Sequence, residues 1–145
     1  MTETPHKNSK FQLTSTNCHL LIFALSCLVI SPILLNGIPF SNDLKQHYQF
    51  AASINNAALS GDFFPNWSAF ENNGYGGIGL RFYPPISYYI LSIGKILTGN
   101  WFYGSCLAFV FWTWLGAVGV FYFAKEFFDK KSALLAASLD RKSVV

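Results

Sequence analysis

Charged residues are scarce in this chain. Asp, Glu, Lys and Arg make up 12% of its 145 residues, against 52% hydrophobic and 18% aromatic side chains. A soluble domain carries about 25% charge, so the deficit points to a membrane protein. The formal net charge is +3, and no stripe of Lys and Arg runs along any segment, which argues against nucleic acid as a partner. The lysines fall in short groups beside apolar runs, the pattern of a topology signal. Arginine is scarcer still, Arg81 being the only one before the last five residues. Cysteine is limited to Cys18, Cys27 and Cys106, with no Cys-x-x-Cys pair, and Cys18 and Cys27 fall on opposite faces of one helix. That spacing argues against a disulfide or metal framework and for three small apolar residues.

Long uncharged runs dominate what is present. Cys18 to Leu35 contains no charge and as a helix measures about 27 Å, enough to cross a hydrocarbon core of roughly 30 Å. A cleaved secretory signal shares its basic start and apolar core, but the run exceeds the usual signal length and no Ala-x-Ala-like site follows. Trp101 to Ala124 is a second uncharged run, about 36 Å as a helix and able to span with tilt. Between them Pro84–Leu97, about 21 Å long, is too short for a crossing.

The lysines fix the expected parity. Lys7 and Lys10 precede the first run, and Lys125, Lys130 and Lys131 follow the second. Both groups share the cytoplasmic side if two crossings separate them. The expected organisation is an all-α polytopic membrane protein of the plasma (inner) membrane, in contact with the lipid bilayer. Residues 1–17 form a cytoplasmic tail, 18–36 the first transmembrane helix and 37–100 an outer loop with juxtamembrane helices. Residues 101–124 form the second transmembrane helix, 125–131 a cytoplasmic loop and 132–139 the start of a third span. Residues 140–145, Asp-Arg-Lys-Ser-Val-Val, match a translated reading frame of a common sequencing adapter. They read as an artefact, and the chain as the N-terminal piece of a longer protein.

The chemistry-bearing residues lie between the two runs, from Ser41 to Tyr89. Asp43 to Leu59 predicts a helix capped by Ser41 or Asp43, with Leu44, Tyr48, Ala51 and Ala58 as its apolar stripe and Gly61 ending it. Asp62 to Tyr83 has neither helical nor strand period and predicts an irregular loop. Its Phe63, Phe64, Trp67, Phe70 and Tyr75 suit a membrane interface. Asp43 and His47, four apart, share one helix face; a carboxylate there can act as general base and an imidazole can orient it. The plainer role is an N-cap and a solvent-facing partner. Arg81, next to Phe-Tyr-Pro-Pro, suits bidentate capture of a phosphate, or else anchors to headgroups.

Asp62 and Glu71 read as turn or surface residues. Gly74-Tyr-Gly76-Gly-Ile-Gly79 has the letters of a dinucleotide fingerprint without its strand and helix, and predicts a glycine-rich turn. Asn66-Trp-Ser68 is a glycosylation sequon, and Gly116 and Gly119 read as helix-packing positions.

The ordered motifs carry a family likeness. Asp43-x-x-x-His47, then Ser60-Gly-Asp-Phe-Phe-Pro-Asn-Trp67, then Asn73-Gly-Tyr-Gly76, then Phe82-Tyr-Pro-Pro-Ile-Ser-Tyr-Tyr89 resemble the N-terminal part of GT-C-type membrane glycosyltransferases. Within that class the likeness is greatest to the bacterial membrane proteins called 6-pyruvoyl-tetrahydropterin synthase-related, a name that denotes no pterin activity. It covers about residues 18 to 139. The resemblance implies a polyprenyl-phosphate-linked sugar donor at the outer membrane face and a role in the cell envelope. It implies Asp43 as the loop's catalytic acid position; with it His47 is expected to be catalytic, and Arg81 and Tyr83, beside the Pro-Pro turn, to bind substrate. Leu44 stands where protein mannosyltransferases have a second acid, and Tyr83 where some aminoarabinose-type relatives have lysine. No cofactor is evident from the residues, and the resemblance leaves a divalent metal open. The alternative from another class is a non-catalytic membrane protein serving transport or envelope assembly.

Overall fold

The computed structural model describes residues 14–39 and 43–139. Its elements are α1 (Ser15–Asn36), α2 (Leu44–Leu59), α3 (Ile86–Thr98), α4 (Trp101–Lys125) and α5 (Lys130–Leu139), with single 3-10 turns at Asn72–Gly74 and Gly79–Phe82. The described chain is all-helical apart from one isolated bridge between Ser68 and Gly77. α1, at 22 residues, and α4, at 25, are long and apolar enough to cross a membrane, and α3 is an apolar helix of 13 residues. The candidate cap Ser41, most of the N-terminal tail and residues 140–145 lie outside the described residues.

Several boundaries move. α1 starts at Ser15 and not Cys18, because Ser15, Thr16 and Asn17 extend the helix without charge and Thr14 precedes it, its hydroxyl accepting the Asn17 N–H at 3.2 Å. α5 starts at Lys130, so the connection after α4 shrinks to residues 126–129. Asp129 explains this start, taking the Lys131 N–H at 3.2 Å and the Ser132 hydroxyl at 2.5 Å. The Ser132 bond, then that from Lys131, holds the Asp129 carboxyl below its ordinary range. Asp43, by contrast, makes no capping bond to α2.

The chain divides into two compact units. Among the described residues the first comprises 14–25 and 114–139. Its core joins Cys18 and Ile22 of α1 to Ala117, Phe121 and Ala124 of α4 and Ala133 and Ala137 of α5. At the edge, His19 Nε2 and the Tyr122 hydroxyl lie 3.0 Å apart, and the Lys125 ammonium sits 4.9 Å from the Tyr122 ring centroid.

The second unit, Ser26–Thr113, holds the polar segment. Pro32 interrupts the hydrogen-bond ladder of α1, and the Ser31 hydroxyl donates to the freed Leu28 carbonyl at 2.7 Å. α2 packs on α3 and on the Gly79–Phe82 turn in a core of Phe50, Ala51, Ile54, Leu80 and Tyr88. The buried face of α2 is therefore Phe50, Ala51 and Ile54 with Ser53 and Asn55, while Leu44 and Tyr48 are half-buried. The two buried polar side chains are bonded: Ser53 to the Ser68 hydroxyl at 3.0 Å, and Asn55 Oδ1 to the Ser92 hydroxyl at 3.0 Å.

α3 and α4 are joined through Gly99, at φ 71, and Asn100, whose Oδ1 accepts the Phe102 N–H at 2.7 Å. They cross at Gly94 and Gly104, where a Cβ on Gly94 would lie 2.5 Å from the Gly104 carbonyl oxygen. This is the small-residue contact expected at Gly116 and Gly119; a Cβ at either of those two positions would meet open space instead.

Candidate functional site

Residues 62–83 form an ordered lobe despite having no regular period. Asp62 builds its first turn, its Oδ1 accepting the Phe64 N–H at 3.0 Å. Ser68 and Gly77 exchange both backbone bonds, 2.8 and 2.9 Å, and Tyr89 of α3 donates its hydroxyl to the Phe63 carbonyl. Asn66 of the sequon is exposed, while its Ser68 is buried and committed to Ser53.

Glu71 departs from the surface role its sequence neighbours suggest. It is 7% exposed, with Oε2 accepting the Gly79 N–H at 3.0 Å and its carbonyl accepting those of Gly74 and Gly76, each at 2.9 Å. A Cβ on Gly77 would stand 2.7 Å from Oε2, and one on Gly79 2.6 Å from Phe50 Cζ. The glycine-rich turn is thus the space into which this carboxylate folds. A run of glycines three to eight residues after a lone acid is the signal in the sequence that could have found it.

His47 and Tyr83, both expected at the site, do come together. Their rings meet edge-on at 5.5 Å, and both line a cavity of about 310 Å³ with Leu44, Tyr88 and Phe109. The His47 imidazole, however, is bonded to Tyr88, Nδ1 to Oη at 2.9 Å, with the rings near-parallel at 27°. Its link to Asp43 is backbone alone, the His47 N–H donating to the Asp43 carbonyl at 3.0 Å. Burial, then the neighbouring Tyr83, pushes the Tyr88 phenol up to about 12. Tyr88 therefore stays a neutral hydroxyl, able to donate to or accept from His47 Nδ1 according to the imidazole's tautomer.

Asp43 is exposed. Arg81 is exposed within the Gly79–Phe82 turn, its N–H donating to the Ile78 carbonyl at 3.0 Å. Neither lines the cavity that holds His47 and Tyr83.

A second cavity, about 820 Å³, was not anticipated. Lys45, Gln49 and Asn73 supply its polar wall, and Phe70, Trp101 and Phe102 its aromatic one. Tyr48 lines both cavities, and its hydroxyl lies 2.6 Å from Ser105 Oγ, which in turn donates to the Trp101 carbonyl at 2.7 Å. Burial raises the Tyr48 phenol, partly opposed by the Ser105 bond, so this phenol too stays neutral. Among the described residues no group of three or more His, Cys, Asp or Glu is placed to hold a metal ion. Comparison with protein-family models, with curated proteins and with solved structures returns no match to this chain.

Proposed function

We propose that this chain is part of a polytopic membrane glycosyltransferase, with its N-terminus cytoplasmic and residues 37–100 on the outer face of the plasma (inner) membrane. The observation that carries the reading is the ordered lobe between two span-length apolar helices, folded around cavities rather than serving as a bare connection. The motif resemblance supplies the chemistry. A polyprenyl-phosphate-linked sugar would be the donor. The Asp43 carboxylate takes the proton from the acceptor hydroxyl as its oxygen bonds to the anomeric carbon. The bond from that carbon to the phosphate oxygen breaks, and its electron pair leaves on the lipid phosphate.

A different part suits His47. Bonded to Tyr88 and facing Tyr83, it is better suited to contact substrate in the smaller cavity than to orient Asp43. Asp43, exposed and without a capping bond, is open to exchange without loss of fold. Asp43→Asn in the full-length protein is therefore expected to insert normally and to lose sugar transfer by about 100-fold or more. Unchanged transfer would remove the base role. A full-length wild type with no transfer to any acceptor would favour the transport or envelope-assembly alternative.

A further inference from the structure

The larger cavity carries a charge that the transfer reading leaves unused. Three Lys or Arg residues occur between Ser26 and Thr113, namely Lys45, Arg81 and Lys95, and Lys45 alone borders either cavity. Among the described residues no carboxylate lines its cavity; the other polar side chains lining it are the Gln49 and Asn73 amides and the Tyr48 phenol. Its volume of about 820 Å³ lies within the roughly 300–1,000 Å³ typical of ligand sites.

The position of the cavity narrows the ligand. Ile38 lies two residues beyond the end of α1, and Trp101 and Phe102 form the first turn of α4. The cavity is thus bordered by the chain just after α1 and by the first turn of α4. If those helices cross a bilayer, this is the depth at which headgroup phosphates and aromatic anchors lie. One ammonium flanked by neutral amides offers an anion a contact with no described carboxylate in the same wall to oppose it. Trp101, Phe102, Phe70 and Ile38 offer an apolar wall for the attached chain.

We infer that this cavity binds a lipid phosphate ester, with Lys45 meeting the phosphate and the Trp101–Phe102 turn meeting the hydrocarbon. Lys45 thereby replaces Arg81 as the anion-contacting residue, since Arg81 borders neither cavity. The inference rests on the reading that α1 and α4 cross a membrane.

The test is equilibrium binding of decyl phosphate to the full chain in a neutral maltoside detergent, by titration calorimetry. Saturable binding is expected, with decanol and inorganic phosphate each at least tenfold weaker. Lys45→Gln should weaken decyl phosphate about tenfold or more, the scale of one charged hydrogen bond, while Lys45→Arg retains most of it and Arg81→Gln changes nothing. Ala52→Phe, which fills the cavity without touching its charge, should reduce binding of decyl phosphate and decanol together. Equal affinity for decanol would reduce the site to an apolar hole and overturn the inference. So would inorganic phosphate matching the ester, loss of binding in Arg81→Gln, or full binding in a folded Lys45→Gln.

Two controls separate this inference from the readings beneath it. Extraction of the protein from membranes by alkaline carbonate would refute the membrane reading and this site with it. Lys45-dependent binding in a carbonate-resistant protein that transfers no sugar would support the site and remove the transferase.

Discussion

The crossing of α3 and α4 makes a prediction in which one substitution has opposite signs at two places on one helix. A Cβ at Gly104 would lie 2.5 Å from the Lys95 backbone nitrogen and 2.7 Å from the Gly94 carbonyl carbon. That is about 0.9 Å inside the 3.4 Å at which ordinary contact begins. The atoms met are backbone, so no rotamer change relieves the overlap and the helices must part. Overpacking of this kind costs about 3 kcal/mol at the upper end of its usual range, and Ala returns about 1 kcal/mol of helix propensity. Gly104→Ala should therefore destabilise by about 2 kcal/mol. Gly116→Ala, with nothing within 4 Å of its Cβ, should keep the propensity gain and stabilise by roughly 0.5–1 kcal/mol. Thermal unfolding in detergent, followed by helical circular dichroism, should show Tm falling by roughly 4–8 °C for Gly104→Ala and rising by a few degrees for Gly116→Ala. A Gly104→Ala protein as stable as wild type, or a Gly116→Ala protein less stable, would refute the assigned crossing.

Two further outcomes follow from bonds inside the second unit. Ser92→Ala leaves the buried Asn55 carbonyl oxygen without its hydroxyl donor and should cost about 1–3 kcal/mol. Adding Asn55→Leu should recover part of that in the same unfolding assay, and strictly additive losses would show the two side chains to be uncoupled. Tyr88, its phenol raised to about 12, is harder to ionise folded than unfolded. Its contribution is full below the ordinary phenol value of about 10 and is lost as pH rises from there to about 12. Phenolate absorbance at alkaline pH should show Tyr48 and Tyr88 titrating late, and Tyr88→Phe should lose part of that late phase; an undiminished late phase in the variant would place Tyr88 in solvent.

The helices were legible because length and lack of charge alone define them: the runs at 18–35 and 101–124 become α1 and α4 with ends moved by a few residues. The face of α2 was not. Choosing its stripe by hydrophobicity selected Leu44 and Ala58, whereas the buried face runs through Ser53 and Asn55. Those polar groups can be buried because Ser68 and Ser92 supply their bonds, and partners 15 and 37 residues away leave no local periodic trace. Glu71 was hidden for a related reason. A lone acid among asparagines reads as surface, and its burial depends on glycines that vacate the space above it. The Gly94–Gly104 contact is likewise a product of the short turn at Gly99, invisible to a search for small residues three or four apart within one helix.

The same helical period explains why the residues nearest one another in sequence do not act together. On α2, Lys45, Tyr48, Gln49 and Ala52 repeat at helical spacing and line the larger cavity, while Leu44, His47 and Tyr48 line the smaller one. Lys45 and His47 are two residues apart, about 200° around the axis, and so belong to different cavities, with Tyr48 common to both. Asp43 and His47 do share a face by spacing, but the imidazole is bonded to Tyr88, 41 residues away. A ligand held at Lys45 and a group facing His47 would therefore be separated by the Tyr48 ring, which its bond to Ser105 fixes in place. The geometry puts Lys45 and His47 on two faces of one helix, so a single Asp43–His47 pair cannot account for both cavities.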